Sequence, residues 1–284
     1  MHLNRNEIQK QSLLNNLQSL LYLFMIVGLI TFLLFSFLGD FGIWLGIGFG
    51  LFTYMALGKA SPQVLLRKHN ARKINRNEDP ELYELTDFLC QKAHMEKPIT
   101  LYRFLSPLSN AFSAGTNNKP VVALSNGLID SLTPRELTAV IAHEIAHIAC
   151  GDLKLLAISQ SMARFFSTIV QILQIIILIQ IPLILLGALH IPMSFLMVIW
   201  FSPFLILLLQ LKLSRIREFQ ADNFAVQLTQ DPEGLISGLQ KIEREQKHLF
   251  SFFRIWPQSE NLPDWLLTHP KTEDRIAKLR SYKS

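Results

Sequence analysis

Charge is missing from four stretches of this chain. Residues 19–38 (SLLYLFMIVGLITFLLFSFL), 41–57 (FGIWLGIGFGLFTYMAL), 165–189 and 190–211 contain no Asp, Glu, Lys or Arg. About 20 such residues, at roughly 1.5 Å each, cross a hydrocarbon core about 30 Å thick. The four stretches are therefore read as transmembrane helices, paired as two hairpins. A transporter or channel working through intramembrane charges is disfavoured, because these spans have none. Cysteine is nearly absent as well. Cys90 and Cys150 do not form a CxxC, so no disulfide framework is expected, and both are read as small buried residues.

Lys and Arg are also missing from the two hairpin tips, around Asp40 and His190, so all 27 lie on the other side. The positive-inside rule then places both termini and the whole polar portion in the cytoplasm. Lys59, Arg67, Lys68, Arg72, Lys73 and Arg76 follow the second span, where they would face anionic headgroups. The basic surplus thus needs no nucleic acid. A cleaved signal peptide is not expected, since the first apolar run starts late and has no small-residue cleavage site behind it. Pro182, Pro192 and Pro203 are tolerable where neighbouring helices satisfy the freed backbone groups. Gln171, Gln174 and Gln180 inside the third span are read as interhelical hydrogen-bonding groups in preference to a substrate path.

What is present is a hydrophobic half of the composition, a positive mean hydropathy and a polar portion with its own patterning. Residues 79–95 carry Leu82, Leu85, Phe88 and Leu89 at helical spacing. Residues 99–105 read as a short strand, and 110–115 and 120–129 as a hairpin about the polar turn TNNK. Thr133, Pro134 and Glu136 then open a helix with a capping box. Its residues Leu137, Ile141, Ile145 and Ile148 make one apolar face, Glu136, Val140, His143 and His147 line a neighbouring stripe, and Gly151 is a stop signal.

That helix holds HEIAH, residues 143–147. Histidines one turn apart project from one side and reach one metal ion, while Glu144 is about 100° around and suited to water on the metal. Zinc supplies Lewis acidity, and the glutamate takes the proton as water attacks a peptide carbonyl and later returns it to the amine. If this were an ordinary surface helix, Ile141, Ala142, Ile145, Ala146 and Ile148 would be exposed. A catalytic zinc needs a third protein ligand. In SRIREFQADNFAVQL, residues 214–228, Glu218 and Asp222 lie four apart with Arg215 on the same side. This arrangement suits one ligand and one carboxylate holding a ligand histidine. In isolation it would be an ordinary charged helix face.

HExxH, a membrane hairpin and then the E-x-x-x-A-D core of SRIREFQAD resemble the HtpX-type membrane zinc metalloproteases, relatives of the type I prenyl (CAAX) endoproteases. SNAFSAG, LTPRELTAVIAHEIAHI and THPKTEDRI come in the family's order, so the resemblance covers nearly the whole chain. It implies that His143, His147 and Glu218 bind one Zn2+ per chain, that Glu144 is the general base, and that Asp222 orients a ligand histidine, with Arg215 and Arg275 beside it. Asn110, Ala111, Phe112, Ser113 and Ala114 would lie on an edge strand where an extended substrate pairs by strand addition. His269 would donate to the tetrahedral oxyanion; a structural His-Pro turn is the competing reading. The aromatic-rich residues 248–266 match nothing in the family pattern, and packed core is preferred there to a membrane-surface contact.

The fold class expected is α+β, predominantly α: a multipass membrane protein with four transmembrane helices in two hairpins and a cytoplasmic zincin-like metalloprotease domain. Residues 1–18 are the cytoplasmic N-terminus, 19–58 and 165–211 the hairpins, and 59–164 and 212–284 the two parts of the catalytic domain. The function expected is a zinc-dependent endopeptidase using a zinc-activated water on protein or peptide substrates, foremost membrane proteins, in quality control and stress response at a bacterial inner membrane. A CAAX prenyl endoprotease and a non-catalytic zinc-containing membrane scaffold are the alternatives. Oligomeric state and cleavage preference are not readable from the sequence.

Overall fold

The computed structural model describes residues 5–57, 62–116, 119–188, 190–253 and 271–281. The chain is mostly helical with one small sheet and divides into two compact units: Met1–Ser12, Lys59–Lys154 and Ser214–Ser284, and Leu13–Gly58 with Leu155–Leu213. The second unit resumes at Leu155, ten residues before the uncharged stretch that begins at residue 165.

In the polar unit the strands are β1 (Arg72–Lys73), β2 (Thr100–Phe104), β3 (Ala111–Thr116) and β4 (Lys119–Ser125), in the order β1-β2-β4-β3. β4 runs parallel to β2 and antiparallel to β3. Its apolar run PVVALS is buried on both faces, with Val122 and Leu124 in the main core and Val121 and Ala123 in a smaller cluster with Leu66 and Phe104. An unbroken apolar run is what a strand covered on both sides requires. The expected strand over 120–129 ends early. Ser125 caps helix α5 (Asn126–Ser131) by accepting from the Leu128 N–H, and a local cap competes effectively with a few more strand residues.

Two helices pack on this sheet through the main apolar cluster. In α4 (Pro80–Lys92), capped by Asp79, the buried side chains include Leu82, Tyr83, Leu89 and Cys90. In α6 (Pro134–Ala149) they include Ile141, Ala142, Ile145, Ala146 and Ile148, each no more than 2% exposed. A surface helix with two incidental histidines is thereby ruled out. The capping box is present: the Thr133 N–H donates to Glu136 Oε2 at 2.9 Å, and the Glu136 N–H to Thr133 Oγ1 at 3.4 Å. Gly151, at φ +73°, ends the helix in the left-handed conformation that glycine adopts without strain.

Glu136 also accepts from Ser237 at 2.5 Å and lies 3.5 Å from Lys241, both on α9 (Pro232–Phe253). Burial opposes charge on this carboxyl, but the hydrogen bonds from Ser237 and Thr133, together with Lys241, hold it down to about 2 from an ordinary 4.5. A depressed carboxylate stabilises the fold above its unfolded pKa and loses that contribution as pH falls towards the folded value. Glu136→Gln is therefore expected to lower stability by about 1 kcal/mol at pH 7. The gap between the two proteins should shrink steadily between pH 4.5 and pH 2. Denaturant unfolding at several pH values checks this, and a gap that did not change with pH would refute it.

The apolar unit is built from α2 (Asp40–Leu57) and parts of α1 (Arg5–Leu38), α7 (Asp152–Leu185) and α8 (Met193–Thr229). Gly39, at φ +59°, makes the turn between α1 and α2. Leu23, Ile26, Ile30 and Leu33, at helical spacing, pack with Met162, Phe166, Val170, Ile199 and Ile206. The outward faces carry Phe24, Trp44, Phe52, Ile179 and Phe201, the reverse of what water selects. Among the described residues α7 and α8 are long and apolar enough to cross a membrane, and Leu20–Ser36 and Asp40–Phe52 are shorter apolar helices. Gln174 donates to the Ile199 carbonyl at 3.4 Å, so one of the three span glutamines does bond across helices.

Candidate metal centre

His143 and His147 enter the site from α6, and Glu218 and Asp222 from the C-terminal part of α8. The run from residue 193 to residue 229 is one unbroken helix, so the expected third ligand does not stand on a helix of its own. The two Nε2 atoms are 3.2 Å apart. Glu218 Oε2 lies 3.5 Å from His143 Nε2, and Oε1 3.9 Å from His147 Nε2. The three residues are buried, and their ligating atoms all lie within 4.8 Å of one another.

This donor set fits zinc. With Zn–N near 2.0–2.1 Å, two tetrahedral nitrogen ligands stand roughly 3.3 Å apart, close to the 3.2 Å observed. Two nitrogens and a carboxylate oxygen also leave the fourth position for water or substrate, as catalytic sites do and structural Cys/His sites do not. Glu144, equally buried, is not among the converging atoms.

Each histidine has a carboxylate on its other nitrogen. Asp222 Oδ1 is 3.0 Å from His143 Nδ1, and Asp152 Oδ2 is 2.8 Å from His147 Nδ1. A carboxylate only accepts, so these contacts call for the proton on Nδ1 and leave Nε2 as the nitrogen that would take a metal. Each carboxylate is held in turn by a buried arginine. Arg275, from α10 (Thr272–Ser281), binds Asp222 at 2.7 and 2.5 Å and lies 3.5 Å from Glu218. Arg217 binds Asp152, and donates to the Cys150 carbonyl at 3.2 Å.

Burial works against charge on His143, but Asp222 and Glu218 outweigh it and push the imidazole up to about 10. Asp222 is likewise disfavoured as an anion by burial, yet Arg275 and His143 bring it below the usual carboxylate range. The cluster thus favours positive charge at the point where the Nε2 atoms converge.

Of the residues singled out in the sequence, His143, His147, Glu144, Glu218, Asp222 and Arg275 come together here. Arg215 has no hydrogen bond or ion pair with the cluster among the described residues. Arg217 stands there instead, one turn before Ala221 on the buried stripe that continues through Phe224, Ala225 and Leu228. Asp152 and Arg217 were not singled out. The only signal for Asp152 is its place directly after the helix-stopping Gly151. His269 and residues 254–266 of the aromatic segment lie outside the described residues, as do the side chains of 248–253.

Ala111–Ala114 lie on β3, paired with Leu124, Ala123, Val122 and Val121 of β4. Among the described residues no strand pairs with the other side of β3, which is an edge. Asn110 precedes it, and the Ser125 hydroxyl fixes its start by accepting from the Asn110 N–H and donating to the Leu108 carbonyl. Ala111 packs in the same apolar cluster as Ile141 and Ile145 of α6.

Comparison with known proteins gives one consistent picture. A protein described as "Protease HtpX homolog" from Acaryochloris marina is 30% identical over 256 residues, covering 85% of each chain. A protein of the same description from Salinibacter ruber is 32% identical over 232 residues, 77% of this chain and 80% of the other. The crystal structure of S. mikatae Ste24p superposes with a TM-score of 0.52 at 17% identity, covering 96% of this chain and 66% of that one. At that identity the likeness is one of fold. The model of peptidase family M48 matches residues 76–283, well over half the sequence, and the chain belongs to that family.

Proposed function

We propose that this chain is a membrane-embedded zinc metalloendopeptidase. The observation that carries the reading is the convergence of His143, His147 and Glu218, all buried, on one point, with Glu144 beside them on the same helix. Zinc, when bound there, supplies Lewis acidity towards a peptide carbonyl and acidifies water. Asp222 and Asp152 hold the imidazoles so that both Nε2 lone pairs face that point. Glu144 takes the proton of the attacking water and delivers it to the departing amine. The free edge of β3 holds an extended substrate by its backbone, which reads side chains weakly and suits a broad set of unfolded segments.

The four uncharged stretches cross the bilayer as two hairpins, and the basic residues, all outside them, place both termini and the metal centre on the cytoplasmic side of a bacterial inner membrane. Cleavage of misassembled membrane proteins follows as the role. The non-catalytic scaffold is disfavoured by the open fourth position. The test is metal removal. Purified protein is expected to hold about one zinc per chain. A chelator should abolish cleavage of unfolded casein, and added zinc should restore it. Cleavage that persists in metal-free protein would overturn the proposal.

A further inference from the structure

The apolar unit contains a polar groove that plays no part in the proposed catalysis. Its volume is about 500 Å³, and it is lined by Gln160, Arg164, Ser167, Thr168 and Gln171 of α7 and by Gln210 of α8. Positions 160, 164, 167 and 171 are spaced four, three and four apart, which puts them on one helix face. Thr168 donates to the Arg164 carbonyl, and Gln210 to the Ser159 carbonyl at 3.0 Å. The Arg164 guanidinium is exposed and has no ion-pair partner among the described residues.

The groove lies at a particular level. Arg164 and Lys212 bracket 47 residues without Asp, Glu, Lys or Arg, and Arg164 and Gln210 stand at the two ends of that stretch. If the stretch crosses the bilayer, as proposed above, the groove opens where the hydrocarbon core meets the headgroups. Gln171 is seven residues further in, roughly 10 Å along the helix. The polar layer on each side of a bilayer core is roughly 5–8 Å thick. The stripe therefore runs from Gln160, about 6 Å outside the cation, through Arg164 at phosphate level to Ser167, about 4.5 Å further in at the level of the acyl esters, with Gln171 just beneath them.

We propose that this groove binds the headgroup of an anionic phospholipid, with the phosphodiester on Arg164, the outer part of the headgroup beside Gln160 and the glycerol ester oxygens accepting from Ser167. This inference rests on the membrane reading above. A second copy of the chain seated on the same face is disfavoured by charge: like copies would set Arg164 against Arg164, and residues 165–211 offer no carboxylate to neutralise them. A lipid phosphate supplies that negative charge in a geometry that a guanidinium matches with two hydrogen bonds.

The test uses the full chain in detergent, as wild type, Arg164→Gln and Lys212→Gln, titrated with phosphatidylglycerol or phosphatidylcholine and read by native mass spectrometry. Lys212 is exposed at the same end of the uncharged stretch but does not line the groove. The expected result is a preference for phosphatidylglycerol that weakens about tenfold in Arg164→Gln and stays within about twofold of wild type in Lys212→Gln. Equal losses in both variants, or no preference in wild type, would overturn the proposal. So would equal competition by free glycerol phosphate, or a change of oligomeric state in Arg164→Gln without loss of lipid. Alkaline extraction of membranes separates the two levels of failure. A chain that resists extraction but shows no preference refutes the groove alone, and a chain released as soluble protein refutes the membrane reading and the groove with it.

Discussion

Glu144→Gln is expected to keep about one zinc per chain and to lower the rate of peptide cleavage by roughly 10²–10⁴-fold. Glutamine has the size and hydrogen-bonding reach of glutamate but no basicity, so the substitution removes proton transfer and little else. Glu144 is buried on α6 between two residues of the converging cluster and is not itself one of them, which is why metal content should survive. Zinc analysis and casein cleavage on the same preparations decide the matter. A variant that cleaves within about threefold of wild type would show that another group takes the proton, since general-base losses are normally far larger. Loss of zinc together with activity would show that Glu144 supports the metal rather than the reaction.

Much of this centre was legible because its parts obey local rules. The capping box at Thr133 and Glu136 fixes where α6 begins, and from there the 3.6-residue period decides which side chains share a face. His143 and His147 had to point one way, with Ile141, Ile145 and Ile148 on the neighbouring, buried side. Glu218 and Asp222 were found by the same periodicity, and the sequence alone left open which was ligand and which was partner. The two carboxylates were separated by distance: Glu218 reaches both Nε2 atoms, while Asp222 meets His143 Nδ1.

What escaped the sequence reading depends on tertiary contact. Arg215 and Arg217 are two residues apart on one helix, and only the packing of α8 against the end of α6 selects Arg217. Leu128 and Ile129 could continue a strand, but Asn126 and Gly127 before them are residues that strands avoid, and Ser125 caps a helix there. The unbroken α8 escaped for a related reason. A change from apolar to charged composition at residue 212 suggests a boundary, yet neither residue 212 nor its neighbours break a helix. Asp152 follows the stop signal Gly151, and nothing local says that an aspartate after a helix will be 1% exposed.

That burial gives Asp152 the second large expected effect. Its carboxylate and the Arg217 guanidinium are each 1% exposed and bound to one another, and its other oxygen meets His147 Nδ1. Asp152→Ala would leave the arginine charged, buried and without its carboxylate, a defect that typically costs about 3–5 kcal/mol. It would also remove the acceptor that fixes the His147 ring, which should weaken zinc binding about 10–100-fold. These consequences have different origins, so a second substitution separates them. Adding Arg217→Met removes the buried charge and should return most of the lost stability, because replacing a whole buried ion pair by apolar groups is often near neutral. The double variant should nevertheless bind zinc as weakly as Asp152→Ala, since His147 still lacks its partner. Denaturant unfolding of metal-free protein and zinc titration measure the two quantities independently. If Asp152→Ala matched wild type in both, neither the ion pair nor the hold on His147 would matter. If the double variant recovered zinc affinity along with stability, Asp152 would serve the fold alone, and the orientation of His147 would have to come from α6 itself.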